Sequence, residues 1–77
     1  MNKQELYVRL IQEQLQADAY WLDGGLPNEA LTLNEEHGRW QVYYSERGQK
    51  TNLQEFDTET QACTYFCQAI SEMLGSK

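Results

Sequence analysis

Seventy-seven residues make one small domain with a single two-layer core, because a chain this short buries only about 60% of its unfolded surface. Twelve Asp and Glu against six Lys and Arg give a net charge of -6, which argues against nucleic acid or an anionic membrane as direct partner, since either wants a basic face. Disorder is excluded despite a mean hydropathy of -0.76, because two Trp, five Tyr and two Phe supply large core pieces.

The first segment, MNKQELYVRL, holds no apolar signal core, and no apolar run approaches the ~20 residues that span a bilayer; a cytoplasmic protein is expected. Asn2 and Glu5 have the spacing of a capping box and predict a helix start. Leu6, Leu10, Ile11 and Leu15 then form a rough apolar stripe, with Gln12, Glu13, Gln14 and Gln16 on the wet side. Tyr20-Trp21-Leu22 could close that helix or form a short edge strand. Three bulky residues against the Asp23-Gly24-Gly25 turn favour the strand. Pro27-Asn28 continues the loop.

Ala30 to Glu35 alternates, with Leu31 and Leu33 opposite Thr32 and Asn34. After a His37-Gly38 turn, Trp40, Val42 and Tyr44 alternate with Gln41, Tyr43 and Ser45. Glu46-Arg47-Gly48 turns again, and Thr51 to Phe56 returns as a last strand. Asp57 or Thr58 caps the closing helix, whose stripe is Cys63, Phe66, Cys67, Ile70 and Leu74, with Gly75 placed as a C-terminal cap. The expected fold is therefore α+β: an antiparallel sheet of three or four strands, with an N-terminal and a C-terminal helix packed on one face. Phe66 and Ile70 should meet Trp40 and Val42 across the layers.

Chemistry is sparse. Cys63 and Cys67 are four apart on a helix, about 5–6 Å between Cβ atoms, too far for a disulfide. With His37 the only histidine, a zinc ligand set is short, so no metal and no cofactor is expected, and the thiols read as packing. The helix-strands-helix order is shared with double-stranded RNA-binding domains. Those need cations where this chain has Asp57-Thr58-Glu59, carboxylates that would repel phosphate. Glu46 and Arg47 could form an acid-base pair, but a hairpin in so small a domain offers no desolvating pocket, and no enzyme activity is expected.

The sheet face away from the helices is more informative. If Trp40, Val42 and Tyr44 point at the helices, Tyr43 points to water, and by the same parity so does Trp21. Exposed Trp and Tyr are the residues that protein-binding hot spots use. Carboxylates surround them at Asp23, Glu29, Glu35, Glu36 and Glu46. The candidate binding set is Trp21, Asp23, Glu35, Glu36, Tyr43, Glu46 and Arg47, an acidic surface with aromatic anchors suited to a basic protein.

The stretch Tyr20-Trp21-Leu22-Asp23-Gly24-Gly25-Leu26-Pro27-Asn28, followed by Trp40-Gln41-Val42-Tyr43-Tyr44-Ser45-Glu46-Arg47-Gly48, resembles small bacterial immunity proteins of polymorphic toxin systems. Phe56-Asp57-Thr58-Glu59 running into Ala62-Cys63 and Tyr65-Phe66 fits the same pattern, so the similarity covers about residues 20–70. It implies a cytoplasmic antitoxin, of the kind found in contact-dependent growth inhibition, that blocks one cognate toxin domain. Many such toxins are nucleases with basic clefts. An acidic regulator that mimics nucleic acid and inhibits a DNA- or RNA-acting enzyme is the alternative. Its mark would be carboxylates spaced like phosphates, and here they are scattered.

Overall fold

A computed structural model describes residues 1–73. Its elements run α1 (Lys3–Gln12), a 3-10 turn (Ala17–Ala19), β1 (Tyr20–Trp21), β2 (Ala30–Glu36), β3 (Arg39–Glu46), β4 (Gln49–Phe56) and α2 (Glu59–Met73). The α+β class and the helix-strands-helix order are as expected. No helix among the described residues is long and apolar enough to cross a membrane.

The capping box forms in full: Glu5 N–H donates to Asn2 Oδ1 at 2.8 Å, and Asn2 N–H donates to Glu5 Oε1 at 3.0 Å. Leu6 and Leu10 are buried one turn apart, and α1 packs along α2. Ile11 is 49% exposed, which corrects its place in the stripe. One more residue is a further 100° around the helix, and a helix laid against one side of the core buries only a narrow line. The helix stops at Gln12, Gln14 adopts a positive φ of 59°, and Leu15 is only partly buried.

The sheet has the order β1-β2-β3-β4. It is mixed rather than wholly antiparallel: β1 runs parallel to β2, with Tyr20 beside Leu31 and Trp21 beside Thr32. Consecutive parallel strands require the chain to travel back before it re-enters the sheet. The helices occupy one face, so the connection, residues 22–29, returns over the other. Tyr43 Oη donates to the Gly25 carbonyl at 2.6 Å, and Gly24 N–H donates to the Leu33 carbonyl at 3.0 Å. Gly24 lies so close to the Asn34 side chain that a Cβ there would collide with it, and its φ of +70° is one that other residues rarely adopt.

Both hairpins use two-residue loops with positive φ at both positions, His37 and Gly38, then Arg47 and Gly48. Strand β4 is an edge and is not regular. Val42 pairs with Gln54 but Tyr44 with Thr51, so Asn52 and Leu53 together oppose Tyr43, with Asn52 at φ 56°. Thr58 Oγ1 accepts the Gln61 N–H at 3.2 Å and starts α2. From α2, Ala62, Cys63, Phe66 and Ile70 are buried in one cluster with Val42, Leu31 and Leu33, and Trp40 and Tyr44 pack at its edge. The expected stripe residue Leu74 and the cap at Gly75 lie outside the described residues.

Candidate protein-binding site

Trp21 sits on the edge strand β1 and keeps 47% of its surface exposed. Tyr7, on the outer side of α1, keeps 50%. Both line one groove of about 760 Å³ between the start of α1 and β1, floored by Ala17, Tyr20 and Leu22. Its polar rim is internally matched. Lys3 Nζ meets Asp23 Oδ1 at 2.8 Å, while the Lys3 backbone N–H donates to Glu59 Oε2 at 2.7 Å. This groove can desolvate two large rings without stranding a charge, which is the chemistry of a hot spot.

The residues expected from sequence to share one surface are spread out. Trp21 and Asp23 come together at the groove. Glu35 and Glu36 finish β2 at the His37–Gly38 hairpin, where both are exposed; Glu35 Oε2 accepts the Gly38 N–H at 3.1 Å. Glu46 and Arg47 lie at the hairpin at the other end of β3. Tyr43 corrects the expectation of an exposed anchor. Alternation does put it on the face away from the helices, beside Thr32, but only 1% of it is accessible. The returning loop covers it, and Lys50 Nζ lies 4.8 Å from its ring centroid. Burial, helped by the charge of Glu36, pushes its hydroxyl pKa up.

A second concavity was not foreseen. A cleft of about 910 Å³ is walled by Tyr65, Ala69 and Met73 of α2 and by Tyr44 and Thr51 of the sheet. Carboxylates from four separate parts of the chain line it: Asp18 of the 3-10 turn, Glu29 before β2, Glu46 ending β3 and Glu72 near the end of α2. Sequence reading missed Tyr7, Asp18 and Glu72. Tyr7 had a signal, since with Val8 and Ile11 it adds an apolar patch to the wet side of α1. Asp18 and Glu72 had none, because only the fold joins them.

Covalent chemistry finds little support. Cys63 is buried and Cys67 half-buried, both as thiols. Burial, then the charge of Glu59, pushes Cys63 up to about 11, and burial also raises Cys67. Both are therefore protonated at neutral pH and poor nucleophiles. Among the described residues no three His, Cys, Asp or Glu side chains come close enough to hold a metal ion. His37 is exposed at the tip of its hairpin.

Comparison with known proteins gives no match: no family model fits the chain, and no curated protein or solved structure shows significant similarity.

Proposed function

We propose that this chain is an immunity protein, an antitoxin that binds and neutralises a cognate toxin domain stoichiometrically and without catalysis. The single observation that carries the reading is the pair of half-exposed rings, Tyr7 and Trp21, sharing one groove whose charges are already satisfied. Isolated exposed aromatics are ordinary, but two on one concave surface make an anchor site. The resemblance of residues 20–70 to immunity proteins supports the same reading, and so does the charge of -6. A nuclease cleft must attract phosphate, so it presents Lys and Arg that a carboxylate-rich inhibitor can occupy in the substrate's place. Thiols held protonated and an exposed lone histidine favour binding over catalysis.

The test is co-expression with the toxin domain encoded beside this chain. Growth rescue and a one-to-one complex are expected, with association slowing steeply as salt rises and dissociation changing less. Neither rescue nor a complex at micromolar concentrations would sink the reading and promote the acidic-regulator alternative.

A further inference from the structure

The sheet face away from the helices is polar, yet part of it is closed. Ala30, Thr32, Tyr43 and Ser45 all project there by alternation, and none is more than 3% accessible. The chain that crosses this face is held at its ends by Leu22 and Ala30, both buried. Between them its hold is slight. Besides the exposed pair of Asp23 with Lys3, two hydrogen bonds fix it among the described residues: Gly24 N–H to the Leu33 carbonyl at 3.0 Å, and the Tyr43 hydroxyl to the Gly25 carbonyl at 2.6 Å. Leu26 adds no apolar anchor, since it stays 51% exposed. Positive φ at Gly24 and Gly25, and at Glu29, puts a tight bend near each end.

The hydroxyls beneath are matched unequally. Tyr43 has its bond, and Thr32 Oγ1 donates to the Ala30 carbonyl at 3.2 Å. Ser45 Oγ is buried with no hydrogen-bond partner among the described residues. A buried hydroxyl left unmatched opposes the closure that buries it. We propose that residues 23–29 form a strap that opens as a unit between Leu22 and Ala30 while the core stays folded. Opening breaks few bonds, uncovers one ring among small side chains and gives Ser45 to water, so it costs much less than global unfolding. The strap also carries Asp23, whose carboxylate holds Lys3 at the rim of the Trp21 groove. Opening strips that rim away, and a partner that uses the closed rim draws the strap shut. This last consequence rests on the protein-binding reading; the opening itself does not.

Native-state hydrogen exchange on the whole protein tests the strap, with the Gly24 amide as reporter, because its bond exists only in the closed form. Gly24 should exchange at least about tenfold faster than the amides of the β2–β3 pair, at a rate nearly independent of low denaturant. The two hydroxyls should act in opposite directions. Tyr43→Phe should quicken Gly24 exchange by about threefold or more, and Ser45→Ala should slow it by about as much, with smaller changes in the β2–β3 amides. Gly24 exchange that follows global unfolding, Ser45→Ala that leaves Gly24 unchanged, or the same direction of change in both variants would overturn the proposal. The two readings fail separately. A strap that opens in a protein without growth rescue removes the immunity function alone; rescue by a protein whose Gly24 exchanges only through global unfolding removes the strap alone.

Discussion

The groove at Trp21 and the cleft at Glu72 both offer tyrosine and carboxylate to solvent, but they differ in what they leave unsatisfied. In the groove Lys3 answers both acids, one through its side chain and one through its backbone, and what stays open is apolar ring surface. In the cleft Tyr44 and Tyr65 are half-buried and what stays open is charge. Apolar surface held in the open gains free energy on contact with any complementary shape and so sets how long a complex lasts. Open charge sets which partner approaches and how fast. A binding protein of the kind proposed above can divide speed and persistence between two places.

Both places stand on one core, and the largest effect should come from breaking that core. Phe66→Ala should cost about 3–5 kcal/mol and erase both surfaces together. A loss below about 1 kcal/mol in a denaturant titration would mean that α2 is not packed as described. Trp21→Ala should divide the two instead: about 2 kcal/mol or more of affinity for the proposed toxin partner lost through faster dissociation, with melting temperature nearly unchanged. Equal dissociation rates for variant and parent would take the anchor role away from the groove. Tyr43→Phe should cost about 1 kcal/mol by removing the bond that pins Gly25. Hydrogen exchange should then quicken in residues 22–29, and unchanged protection there would show that the bond is not what holds the loop.

The smallest effect carries the sharpest contrast. Lys3→Met breaks an exposed pair and should destabilise by a few tenths of a kcal/mol at low salt. Glu72→Gln removes one of several like charges and should leave stability equal or slightly raised. Added salt should narrow both differences. Thermal unfolding at two ionic strengths measures them, and the same sign for both substitutions would mean that the two regions are not electrostatically distinct.

Much of the fold is legible because its signals are local. Asn2 with Glu5, His37-Gly38 and Arg47-Gly48 specify a helix start and two hairpins through contacts within a few residues. The strand at Tyr20-Trp21 is legible for the same reason, but its direction is not, since no residue in it records which end of β2 it will meet. That missing fact propagates. A parallel β1 sends residues 22–29 over the outer face, and so Tyr43, outward by alternation, ends up buried. Half of the candidate groove, Trp21 and Asp23, was readable from sequence; Tyr7 belongs to another element and joins them only in three dimensions. The cleft is the extreme case, with Asp18 before the first strand and Glu72 near the end of the last helix.

The doubled position opposite Tyr43 has a consequence for self-association. All but the last residue of β4 is exposed, and an edge of that length is the kind of template on which further copies stack into fibres. Stacking demands evenly spaced donors and acceptors along the rim. Asn52 in a left-handed conformation interrupts that spacing midway, and Lys50 sets like charge against like in a copy stacked parallel and in register. The irregularity thus works as a guard against fibrillation along the one long open edge that the sheet has among the described residues.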